Sequence, residues 1–126
     1  MGGQADLGGD WDGIFDYPRV LPPTAFTATL RDHGGVLTGE TSEPGREGTL
    51  FALIEGRREG GSVAFVKVYD DYHAKPIHYA GTLNADATEI TGTWRIPGDW
   101  SGTFMMMRRM GEAEETEQRA AEEVER

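Results

Sequence analysis

"YAGTLNADATEITGTWRIPGDWSGTFMMM", residues 79–107, holds three runs of alternating apolar and polar residues separated by the turn segments "NADAT" at 84–88 and "PGD" at 97–99. Period-two alternation bounded by turn residues marks β-strands joined by short links. Each run carries a glycine near its middle, at Gly81, Gly92 and Gly102. Glycine in a strand costs entropy and fills no space, so three in a row need a reason. Strands bending around a barrel with room inside it supply one.

The same rhythm extends on both sides. Alternating segments cover 10–17, 24–31, 36–43, 48–57, 62–70, 77–84, 89–96 and 99–109. Between them lie Pro18 to Pro23, "DHGG" at 32–35, "EPGREG" at 43–48, "REGG" at 58–61 and "DDYHAKP" at 70–76. Links this short join antiparallel neighbours, because a parallel pair needs a long crossover. Eight meandering strands close into an up-and-down barrel, which removes the sheet edges. The fold class expected is all-β: an eight-stranded antiparallel up-and-down β-barrel at 10–109, preceded by a flexible glycine-rich start at 1–9 and followed by an acidic tail at 110–126. That tail carries Glu112, Glu114, Glu115, Glu117, Glu122, Glu123 and Glu125 against Arg119 and Arg126. It has the composition of a solvated helix with little apolar face.

Composition narrows the function. At 126 residues there is one domain with a real core. Twelve Lys and Arg against 22 Asp and Glu give a net charge of −10, which argues against nucleic acid. Without any cysteine there are no disulfides, thiolate nucleophiles or Cys-rich zinc sites. No run is long and apolar enough for a membrane helix, and the start lacks a signal-peptide pattern, which places the chain in the cytoplasm.

Alternate residues of a barrel strand point inward. Taking the more apolar face as the inner one and stacking the strands by height gives three layers. One end collects Trp11, Leu30, Leu37, Ile54, Val63, Leu83, Ile90, Met106 and Arg108, an apolar plug with one charge. The middle collects Gly13, Ala28, Gly39, Ala52, Gly81, Gly92 and Gly102. The other end collects Tyr17, Glu43, Lys67, Tyr69, Tyr79, Trp94 and Trp100. In the fourth strand Leu50, Ala52 and Ile54 compete with Phe51 and Leu53; the former leave Glu55 and Arg57 in water. A small layer beneath an aromatic rim has the shape of a ligand site. The other outcome is a barrel whose small residues admit packing rings and whose interior is full.

"GDW" at 9–11 is a GxW at the start of the first strand, and Arg108 lies near the end of the last, with Arg109 as its alternative. This pairing resembles the calycin superfamily of lipocalins, fatty-acid-binding proteins and avidins, in which such a Trp packs under such an Arg at the closed end. "VLTGETSE", "VAFVKVY" and "YAGTL…EITGTW…DWSGTF" are most similar to avidin strands. The resemblance implies that Trp94, Trp100, Phe65 and Tyr79 stand at aromatic ligand positions. The polar ring that holds biotin does not carry over, since its positions fall on Gly13, Tyr17 and Thr41. Losing matched buried hydrogen bonds should cost several kcal/mol, so tight biotin binding is not expected.

The reading is therefore a non-enzymatic barrel holding a planar or apolar small molecule, with Tyr17, Thr41, Glu43, Phe65, Lys67, Tyr69, Tyr79, Trp94 and Trp100 as ligand-binding residues. Trp11 and Arg108 are its structural closed end. Lys67 and Glu43 pair with each other, orient an ionised ligand, or reach water at the rim. The alternative is a protein-interaction or inhibitor module with a filled barrel. No nucleophile–base pair, Walker loop or GxSxG is present, so no catalytic residues are assigned. "DDYH" at 70–73 with His78 lacks metal-ligand spacing, so no metal and no cofactor are expected. A homo-oligomer is allowed by this reading; nucleic acid and membrane are not expected partners.

Overall fold

In a computed structural model, the described residues are 6–18, 21–45, 47–70 and 74–109. The acidic tail, part of the "DDYH" turn and residues 1–5 lie outside them. The strands are β1 (Gly9–Asp16), β2 (Thr24–His33), β3 (Val36–Gly45), β4 (Gly48–Glu59), β5 (Ser62–Tyr69), β6 (Ile77–Leu83), β7 (Glu89–Arg95) and β8 (Ser101–Arg108). Each pairs antiparallel with the next, and β1 pairs with β8 from Trp11↔Arg108 to Asp16↔Thr103, closing the barrel.

Local chemistry sets the turns. His33↔Val36 is the last pair of β2 and β3, so Gly34 and Gly35 form a two-residue hairpin with φ of 63° and 95°. Positive φ at both positions is what a twist-matched turn demands, and glycine adopts it without strain. Between β6 and β7, the Asn84 side-chain oxygen accepts from the backbone N–H groups of Thr88 (2.8 Å) and Glu89 (2.9 Å). That side chain does the work of a backbone turn.

The inward face matches the alternation in every strand. Trp11, Phe15, Phe26, Ala28, Leu30, Leu37, Ala52, Ile54, Val63, Phe65, Ile77, Tyr79, Ile90, Trp94, Phe104 and Met106 are all buried. Leu50 is the exception in β4. At 47% exposure it sits past the point where the neighbouring wall covers it. Phe51 and Leu53 face outward at 61% and 63%.

The glycines of 79–107 have a different use from the one expected. A Cβ at Gly92 would collide with the Ala80 carbonyl oxygen, and one at Gly102 with the Asp16 carbonyl oxygen and with the Trp94 indole at 2.7 Å. A Cβ at Gly81 would meet the Phe104 ring at 3.0 Å, and one at Gly13 would enter the Phe26 ring. Rings of Phe26, Phe104 and Trp94 lie over Gly13, Gly81 and Gly102, and neighbouring backbone closes on Gly92, so the layer expected to be empty is filled. Phe65 stacks on Tyr79 at 4.8 Å, and Phe104 meets both edge-on at 6.2 and 4.9 Å.

The closed end follows the expected pairing and adds to it. The Arg108 guanidinium lies 5.0 Å from the Trp11 ring centroid, a cation–π contact. Leu7, in the segment expected to be flexible, is fully buried, and the Trp11 indole N–H donates to its carbonyl at 2.9 Å. Asp32 fixes that segment by accepting from the backbone N–H groups of Leu7 and Gly35, both at 2.9 Å, and from Arg58 Nε at 2.8 Å. Arg58 and these two N–H groups hold the Asp32 carboxyl below its usual range, against the burial that pushes it up. The folded unit thus begins at least as early as Asp6, before the boundary expected at residue 10.

Candidate functional site

Antiparallel alternation brings the ends of β1, β3, β5, β6 and β7 to the open mouth. There Phe15, Tyr17, Glu43, Tyr69, Ile77, Tyr79, Trp94, Ile96 and Trp100 line a chamber of about 170 Å³. Six of these nine side chains are aromatic. Trp94 and Trp100 meet edge-on at 5.7 Å, and Tyr17 bridges them with centroids 6.0 Å and 5.3 Å away. The Trp94 indole N–H is already engaged, donating to the Asp16 carbonyl at 2.9 Å. The Tyr17 and Thr24 hydroxyls share a 3.2 Å hydrogen bond. These bonds fix the walls in place.

A buried polar cluster lies at and behind the floor. Lys67 Nζ donates to Glu43 Oε1 at 3.0 Å and to the Tyr79 hydroxyl at 3.4 Å, while the Tyr69 hydroxyl donates to the same Glu43 oxygen at 2.8 Å. Lys67 and Glu43 side chains are 1% and 7% exposed. The ammonium is sheathed by the rings of Phe15, Phe26, Tyr69 and Tyr79, with centroids between 4.9 and 5.6 Å away. Burial pushes the Lys67 ammonium below the ordinary lysine range, with the Glu43 carboxylate opposing it. Burial, and then Glu43, push the Tyr69 and Tyr79 phenols above theirs. Of the alternatives for Lys67 and Glu43, the structure has them paired, at 3.0 Å.

Of the nine residues assigned to ligand binding, six stand in the chamber wall: Tyr17, Glu43, Tyr69, Tyr79, Trp94 and Trp100. Phe65 and Lys67 lie behind it, one stacked under Tyr79 and the other hydrogen-bonded to it. Thr41 is buried and its hydroxyl has no partner among the described residues, but it does not reach the chamber. Phe15, Ile77 and Ile96 also line the wall. Their inward phase was legible, but their height was not, because strand tilt shifts each layer around the barrel. His78 faces outward, paired with Arg95 across β6 and β7. Among the described residues no three His, Asp or Glu side chains are grouped to hold a metal ion, and no helix is long and apolar enough to cross a membrane.

The comparisons bear on the fold alone. No family model matches the chain, and no curated protein matches it. Among solved structures it is similar to a redesigned beta barrel, with a TM-score of 0.69 and 11% identity over 83% of this chain and 92% of that one. An antiparallel eight-stranded barrel is therefore the level at which the chain is similar to a known protein.

Proposed function

We propose that this chain is a non-enzymatic, calycin-like barrel that binds a small flat molecule in the open-end chamber, without a metal or cofactor. The observation that carries this reading is the chamber itself: six aromatic walls and one carboxylate, held by hydrogen bonds that need no guest. Concave, mostly apolar sites with a few oriented polar groups are where small ligands bind. The volume of about 170 Å³ falls below the roughly 300–1,000 Å³ of sites for drug-sized ligands. It is close to the roughly 150 Å³ apolar cavity that takes up benzene. The guest is accordingly a single ring, smaller than the occupant of a hollow barrel. Lys67 neutralises Glu43, so a neutral ring bearing an O–H or N–H donor fits better than a free cation.

Benzyl alcohol is a suitable probe. It should quench or shift emission from Trp94 and Trp100, and Trp94→Ala and Trp100→Ala should each weaken its binding by about 1 kcal/mol or more. The filled middle of the barrel favours a second reading, a protein-interaction module. Unchanged emission across single-ring alcohols, phenols and anilines would leave that reading in place of the first.

A further inference from the structure

We propose that Lys67 captures small aromatic aldehydes as an imine, with the open-end chamber holding the ring; this rests on the reading of the chamber as a single-ring site. The Lys67 nitrogen hydrogen-bonds to Glu43 at 3.0 Å and Tyr79 at 3.4 Å, and both of these side chains line the chamber. The nitrogen therefore sits one hydrogen bond behind the chamber floor. A ring lodged against Trp94 and Trp100 with its carbonyl directed inward meets Glu43 first and Lys67 next.

The surroundings suit the chemistry. Passing a proton from Nζ to Glu43 removes two charges from an apolar sheath, which offsets their desolvation, and frees the nitrogen lone pair. Burial already lowers the Lys67 pKa, in the direction that makes the neutral amine accessible. The amine nitrogen then bonds to the carbonyl carbon as the C=O π pair moves onto oxygen. Glu43 gives its proton to that oxygen and takes one from nitrogen, leaving a carbinolamine and a protonated carboxyl. Glu43 next protonates the hydroxyl, which departs as water while the nitrogen lone pair forms C=N. The products are an iminium with the Glu43 carboxylate as counter-ion, and one water. No oxidant or reductant is consumed. An aryl aldehyde fits because the chamber takes one ring and conjugation with that ring stabilises the C=N bond.

The chain contains two lysines, and the second, Lys75, is 64% exposed, which provides an internal control. The test incubates the full chain with benzaldehyde and cyanoborohydride, then maps the benzylated residue by peptide mass spectrometry. In parallel, benzyl alcohol is titrated against tryptophan emission. The expected result is quenching by the alcohol, together with one benzyl group on Lys67 at about tenfold or more above Lys75, because a ring held beside the amine raises its effective concentration there. Lys67→Arg, which keeps the charge without a nucleophilic amine, should lose that label. Quenching with label only on Lys75 or the α-amino group, or with no label, overturns the imine and leaves the chamber reading intact. Neither quenching nor a Lys67 label overturns both. A Lys67 label without quenching overturns the route through the chamber.

Discussion

Removing the Lys67 ammonium while leaving Glu43 in place strands a carboxylate among rings. Lys67→Met should therefore destabilise by about 3–5 kcal/mol in chemical denaturation, the usual cost of breaking a buried pair from one side. Adding Glu43→Gln should recover much of that loss, because the uncompensated charge is gone; a double variant no more stable than Lys67→Met would show that packing, not charge, sets the cost. The phenols give a second residue-scale prediction. Tyr69 and Tyr79 are raised above 10.0 by burial and then by Glu43, so they stay protonated in the fold while the unfolded chain ionises. Their contribution to stability is complete below pH 10 and declines as pH rises beyond it. Lys67, held below 10.5 by burial, works in the opposite sense: its contribution is present above 10.5 and is lost as pH falls through its lowered pKa. Tyrosinate absorbance isolates the phenols, and at least two of the four tyrosines should fail to titrate near pH 10 until the barrel unfolds. Period-two phase alone put Glu43, Lys67, Tyr69 and Tyr79 inside. Stacking by height also brought them to one end, but the particular hydrogen bonds were not legible, since they depend on where each side chain ends.

At the scale of the strand, short turns and alternation fixed all eight elements, with every boundary within two residues, because both signals are local. Leu7 escaped this reading: a single apolar residue among glycines has no period, and the Asp32 carboxylate and the Trp11 indole N–H draw it in. The strand glycines were legible as strand residues and misleading as to volume. A missing side chain looks the same in sequence whether the space is empty or taken by a ring from the next strand. Gly13→Ala separates the two uses. In a hollow barrel the methyl group is harmless, whereas here the three atoms nearest to it all belong to the Phe26 ring. The variant should lose about 1–3 kcal/mol, as overpacked cores do, and a thermal melt reads it directly. Trp11→Ala should cost more, about 3–5 kcal/mol as for large aromatic truncations, and should also release the Leu7 segment, seen as faster amide exchange at Leu7.

Across the whole molecule, the interior is graded from an apolar plug, through interleaved rings and one ion pair, to a shallow chamber. That gradation sets which guests fit. A hollow barrel would admit a bicyclic ligand with a long tail, of which biotin is the test case suggested by the resemblance to avidins. Here the Phe26 ring covers Gly13, Tyr17 is tied to Thr24, and Thr41 does not reach the chamber. The three positions that would have held a ureido group are thus covered, tied back or set apart. Lys67 and the rings around it fill the depth below them. Single-ring guests should bind and biotin should not. The three tryptophans make this measurable in one titration, because Trp94 and Trp100 stand in the chamber wall and Trp11 is buried at the far end. A single-ring alcohol should change emission in the wild type and in Trp11→Phe alike, and lose most of its effect in the Trp94→Phe/Trp100→Phe double variant. Biotin should leave emission unchanged up to millimolar concentration. Nanomolar biotin binding would mean that Phe26 and Lys67 withdraw together to open the barrel's centre, and the filled interior would then be only one of its states.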